Sequence, residues 1–181
     1  MSKHSKRVLI CIMLFLFTGM VFMAESSQKS SRSTVKERQW GNAPDFTLPA
    51  LGGNTFTLSS LKGKVIILDF WATWCSPCRE EVPDFIALKN EYGDKGLEIV
   101  GISLDEGGEN AVRHFARKTG INYIIVFGDE KTEEKYGGIR GIPTTFIIDQ
   151  NGNIVTKYIG YRPRDVFEKA IKELLGAGSR K

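Results

Sequence analysis

"VIILDFWATWCSPCREEVP", residues 65–83, decides the fold because its texture changes in the middle. The first seven residues are almost wholly apolar and rich in β-branched and aromatic side chains, which predicts a strand over 65–71 buried on both faces. From Ser76 the spacing of apolar residues turns helical and predicts a helix to Tyr92. Between strand and helix stand Cys75 and, after Ser76 and Pro77, Cys78.

Outward from this stretch the alternation continues, with a strand over 98–103, a helix over 109–118 and a strand over 123–126. That order is the signature of right-handed parallel βαβ units. Upstream, "NAPDFTLPALGGNTFTLSSLKGK" sets a Gly-Gly-Asn turn between short alternating segments at 46–48 and 55–58, which predicts an N-terminal β-hairpin. Downstream, "TTFIIDQNGNIVTKYIG" predicts two antiparallel strands joined by a type I′ turn at Asn151-Gly152. A helix over 163–175 follows, with Phe167, Ile171 and Leu174 on one stripe. The fold class is α/β, a central mixed sheet flanked by helices, without internal repeats.

The first 24 residues differ from the rest. Lys3, Lys6 and Arg7 precede the apolar run "VLICIMLFLFTGMVFMA", the layout of a secretory signal. Cleavage after Ala24 would put bulky Phe22 where a small residue is wanted, so a retained signal-anchor is favoured over a cleaved signal peptide. Basic residues ahead of the run predict the N-terminus inside and the domain on the extracytoplasmic side. Cys11 reads as an apolar filler of that segment. Residues 25–39, "ESSQKSSRSTVKERQ", lack an apolar period and read as a flexible linker, spanning roughly 20 Å as a coil. Residues 40–181 form the domain. The formal charge is +4, of which three positive charges lie in the leader, so the remainder is near +1 and no nucleic-acid partner is indicated.

The cysteine spacing admits several chemistries. Zinc needs four ligands, and besides this pair the domain offers only His114, so no metal site is expected. A structural disulfide closing so small a loop would remove little entropy from the unfolded chain. A redox pair fits the local order. Cys75 falls at the start of a helix, where free N–H groups and the positive dipole end stabilise a thiolate, and is read as the nucleophile. Cys78, three residues on, turns toward the body of the domain and is read as the resolving thiol.

Two carboxylates stand out near the pair. Glu81, Phe85, Leu88 and Tyr92 form an i, i+4, i+7, i+11 stripe, which places Glu81 on the apolar side of the helix, where a carboxyl tends to a raised pKa and can exchange a proton with a thiol. A solvated helix glutamate is the plainer alternative. Asp69 interrupts the apolar strand, either as a second proton carrier or as a hydrogen-bonded strand residue. Pro83 removes one helical hydrogen bond, so a kink is expected there. His114 reads as a helix-surface histidine and Gly120 as a helix C-cap; "DEGGEN", 105–110, fits a loop at the active face or a plain turn.

"DFWATWCSPC" and "GIPTTFIID" resemble the thioredoxin superfamily over about residues 42–175. The N-terminal membrane segment, the "APDFTL" opening with its hairpin and the inserted βα element at 109–126 narrow the resemblance to membrane-anchored thiol-disulfide oxidoreductases of the TlpA/ResA type. That resemblance implies a thioredoxin-like fold, a functional acid at Glu81 and a cis-proline at Pro143. It implies further that the Ile142 backbone is free to pair with a substrate strand, and that Trp74 and Pro77 belong to an apolar substrate-binding surface. Asp69 matches the buried aspartate of thioredoxin, where ResA-type proteins commonly carry a neutral residue. The implied partners are disulfide-containing proteins, apocytochrome c during cytochrome c maturation among them, and a membrane thiol-disulfide electron donor. No Gly-rich cofactor fingerprint is present, and no cofactor is expected.

The expected activity is reduction of partner disulfides, with a disulfide-donating oxidase as the rival. Ser76-Pro77 supplies no imidazole beside the thiolate, which favours reduction. A thiol peroxidase would need a threonine three residues before the nucleophile, whereas Thr73 is two before Cys75. A non-enzymatic binding module would not need both thiols.

Overall fold

In the computed structural model, which describes residues 40–178, β3 (Val65–Trp71) is the middle strand of a five-stranded sheet and all seven of its residues are buried. On one side it pairs in parallel with β4 (Leu97–Ser103), which pairs in parallel with β5 (Ile124–Phe127). On the other it pairs antiparallel with β6 (Thr144–Ile148), which pairs antiparallel with β7 (Ile154–Ile159). The mixed sheet therefore has the order β5-β4-β3-β6-β7. A separate hairpin of β1 (Thr47–Pro49) and β2 (Thr55–Thr57) is tied to the β5 edge by Leu51, whose N–H donates to the Ile125 carbonyl at 2.9 Å.

Period-2 alternation along β3 builds both layers of the core. Ile66, Leu68 and Phe70 point to the face covered by the hairpin residues Phe46 and Leu48 and by Tyr136. Val65 and Ile67 point the other way, against Phe85 and Leu88 of α1 (Ser76–Tyr92) and Phe167 and Ile171 of α4 (Arg164–Gly178). Farther along that face Trp71 packs with Val112 and Ala116 of α2 (Glu109–Thr119). Gly101, opposite Asp69 in the register, makes room for this indole, since a Cβ there would lie 2.7 Å from Trp71 Nε1.

Several elements differ from their sequence reading. The hairpin connecting β6 to β7 is longer than a two-residue Asn-Gly turn: Gly152 N–H donates to the Asp149 carbonyl, and Asp149 Oδ1 accepts from the N–H groups of Asn151 and Asn153. The short helix α3 (Glu130–Lys135) falls in a stretch to which the sequence reading assigns no element, and α4 extends past residue 175. α1 runs on as one helix through Pro83, which is exposed. Gly120, at φ 74°, caps α2, and His114 is exposed on that helix. The leader and linker, residues 1–39, lie outside the described residues; among those described, no helix is long and apolar enough to cross a membrane.

Candidate active site

β3 ends at Trp71, and a turn closed by the Cys75 N–H on the Ala72 carbonyl at 3.2 Å delivers the chain to α1. Cys75 is the N-cap residue, with extended backbone, and its sulfur accepts the Cys78 N–H at 3.2 Å. Cys75 and Cys78 are joined as a disulfide. An N-cap sulfur facing a helix N–H is the arrangement that favours a thiolate once the bond is reduced. Both cysteines are buried, at 5% and 2% exposure.

The segment before β6 lies across from the disulfide. The Ile142 carbonyl oxygen is 3.7 Å from Cys75 Sγ, and the Ile142–Pro143 peptide bond is cis. Pro143 is buried, and its carbonyl accepts the Gly160 N–H from the end of β7 at 2.8 Å. Trp74 is 67% exposed, and Pro77 is exposed on the first turn of α1. Ile159 and Tyr161, also exposed, flank the Gly160 contact in sequence.

Behind the cysteines the site closes over acid groups. Glu81 is fully buried in the stripe of α1 that also holds Cys78, Val82, Phe85 and Leu88. The loop between β7 and α4 folds over it, and the Arg162 N–H donates to Glu81 Oε1 at 2.7 Å. Glu81 Oε2 meets no partner among the described residues. Burial raises this carboxyl from 4.5 to about 7, opposed by the Arg162 N–H and guanidinium and assisted by Asp84. The guanidinium itself turns to the Tyr161 carbonyl at 2.7 Å, leaving the backbone N–H as the direct contact with the acid.

Asp69, 5% exposed, is held by the Thr145 hydroxyl, which donates to Oδ1 at 3.0 Å from the position directly opposite on β6. Burial lifts Asp69 well above the usual carboxylate range, the nearby Glu81 charge lifts it further, and the Thr145 bond opposes both. Tyr123 senses the same two acids: its phenol is raised by burial first, then by Asp69 and Glu81. The two carboxyls thus share one buried neighbourhood. Arg162, Thr145 and Tyr123 were not legible as site residues; Arg162 contributes a main-chain donor, which any residue type but proline supplies.

A family model described as the AhpC/TSA family matches residues 41–157. The thiol-disulfide oxidoreductase ResA of Bacillus thuringiensis (strain Al Hakam) is 30% identical over 178 residues, 95% of this chain and 98% of that protein. The thioredoxin-like protein YneN of Bacillus subtilis (strain 168) is 33% identical over 165 residues, 90% of this chain and 94% of its own length. Among solved structures, a thiol:disulfide interchange protein of the thioredoxin family from Chlorobium tepidum TLS is 34% identical with a TM-score of 0.71, covering 77% of this chain and 99% of that one.

Proposed function

The chain belongs to the AhpC/TSA family and is a thiol-disulfide oxidoreductase of thioredoxin-like fold, and from that premise we propose that it reduces disulfides in partner proteins on the extracytoplasmic side of a membrane. The observation that carries the thiol exchange is the pair of buried carboxyls behind Cys78, one of them raised to about 7, while the direction rests on Ser76-Pro77, which places no imidazole beside the Cys75 thiolate. An acid that is half protonated near neutral pH both takes a proton and returns it.

In this reading the Cys75 thiolate attacks one sulfur of the partner's disulfide, forming a mixed disulfide and releasing the partner's other sulfur as a thiolate that takes a proton. Cys78 then gives its proton to Glu81 or Asp69 and attacks Cys75 Sγ. The second partner sulfur leaves, the Cys75–Cys78 disulfide re-forms, and two electrons have passed to the partner. A membrane thiol-disulfide donor resets the pair. Trp74, Pro77, Ile142 and Pro143 form the surface on which the partner segment lies, with the Ile142 main chain available to an extended strand. The N-terminal run serves as the anchor and residues 25–39 as its tether. Apocytochrome c, whose haem-attachment sequence is Cys-x-x-Cys-His, is the partner class that the family resemblance favours.

A peroxidase has less support. The Thr73 hydroxyl donates to Asp105 and so is not directed at the Cys75 sulfur. The test of direction uses a peptide bearing an oxidised Cys-x-x-Cys-His sequence, mixed with the fully reduced chain. The reductase reading expects one dithiol peptide per protein and a trapped mixed disulfide with Cys78→Ser. Oxidation of the reduced peptide by the oxidised chain, with no reaction the other way, would make the protein a disulfide donor.

A further inference from the structure

β3 and β4 stay in parallel register to their last residues, Trp71 opposite Ser103, so the loops that leave them start side by side at the disulfide end of the sheet. In the first loop, Thr73 and Trp74 are the inner residues of the turn that ends at Cys75. The second loop begins "LDEGGEN", and its Asp105 reaches across 32 residues of sequence to Thr73. The Thr73 N–H donates to both carboxylate oxygens, at 3.2 and 3.0 Å, and the Thr73 hydroxyl donates to Oδ1 at 2.5 Å.

Asp105 is itself held from behind. The Ser103 hydroxyl donates to Oδ2 at 2.9 Å and accepts the Asp105 N–H at 3.2 Å. One residue earlier, the Leu104 N–H donates to the Trp71 carbonyl at 2.8 Å. Both carboxylate oxygens are therefore engaged, and both donors of Thr73 go to one group. A charge-assisted cluster of this kind is stiffer than the single Cys75 to Ala72 bond that otherwise closes the turn.

The residues that follow carry the chemistry. Cys75 Sγ must sit at the N-cap to accept the Cys78 N–H at 3.2 Å, and Trp74 beside it is turned out to solvent. α1 fixes Cys75 from its C-terminal side; the clamp on Thr73 fixes it from the N-terminal side. We propose that Asp105 is a positioning residue for the redox reaction: by holding Thr73 it sets the turn that keeps the Cys75 sulfur over the N-terminus of α1. The inference rests on the reading of Cys75 as the attacking sulfur.

The test is the rate of alkylation of the reduced full chain by iodoacetamide as a function of pH, with thermal melting measured alongside. A sulfur displaced from the N-cap loses part of the N–H and dipole stabilisation of its thiolate. Asp105→Ala is therefore expected to raise the midpoint of Cys75 alkylation by about one pH unit, which slows the reaction about tenfold at pH values well below the parent's midpoint. Asp105→Asn keeps Oδ1 on the Thr73 hydroxyl and N–H but turns an amide donor toward the N–H that Oδ2 accepts and removes the charge, so it should fall between the parent and Asp105→Ala. Thr73→Val removes only the hydroxyl bond and is expected to raise the midpoint by a smaller amount. An unchanged midpoint and rate in Asp105→Ala or Thr73→Val, whatever the melting temperature, would overturn the inference. Rapid alkylation that survives Cys75→Ser and vanishes in Cys78→Ser would instead remove the reading of Cys75 on which it rests.

Discussion

At the scale of single residues, the chemistry is decided by which groups the fold denies to water. Glu81 is four positions before Phe85 and seven before Leu88, so its burial follows from helix geometry and was legible in the sequence. Asp69 was legible as the one charge in an apolar strand. What holds Glu81 was not, because the donor is the main-chain N–H of a residue 81 positions away. The raised carboxyl has a thermodynamic consequence. Between about pH 4.5 and 7 the folded protein keeps a proton on Glu81 that the unfolded chain has released. Stability is therefore greatest below that window, falls as pH rises through it and levels off above. Glu81→Gln removes this dependence while its amide oxygen still accepts the Arg162 N–H. The difference in unfolding free energy, variant minus parent, should rise from pH 4.5 to 7 by on the order of 3 kcal/mol and then stay flat. Denaturant titrations of the oxidised chain across that range check it, and a flat difference throughout would mean that Glu81 titrates normally.

At the scale of elements, legibility tracks how much apolar pattern each one carries. β3, α1, β4, α2 and the β6-β7 pair show clear periods and were readable to within a residue or two, since each buries a continuous stripe. α3 has the sequence "EKTEEK", with no apolar stripe to announce it. Its stability comes from a cap and a neighbour: the Asp129 carboxylate accepts the Thr132 N–H at 2.7 Å, and Tyr136 at its C-terminal end packs on Phe70 and Phe146. The β6-β7 turn was misread because Asp149, just before the Asn-Gly pair, draws two main-chain N–H groups onto its carboxylate and widens the connection. Packing between β3 and β4 gives a prediction at this scale. A methyl group at Gly101 meets the Trp71 indole at 2.7 Å, between buried elements that cannot part easily. Gly101→Ala should cost about 1–3 kcal/mol, read as a lowered urea midpoint with an unchanged slope. A midpoint at or above the parent's would show that the indole has room to move.

At the scale of the whole molecule, the sheet order brings together groups from distant parts of the chain. The end of β3 supplies Cys75, the approach to β6 supplies Ile142 and Pro143, the exit of β7 supplies Arg162, and the loop after β4 supplies Asp105. One face of this junction carries exposed Trp74 beside the disulfide; the other side buries Asp69 and, in the helix stripe that holds Cys78, Glu81. The same framework serves reductants and oxidants, because the direction of electron flow depends on how strongly the site stabilises the Cys75 thiolate relative to the disulfide. The deciding measurement is the reduction potential of the Cys75/Cys78 pair, by equilibration of the protein against defined mixtures of oxidised and reduced dithiothreitol. The reductase account predicts a value below about −250 mV, on the side of thioredoxin. A value near about −120 mV, where strong periplasmic oxidants lie, would contradict it and make the protein a donor of disulfides.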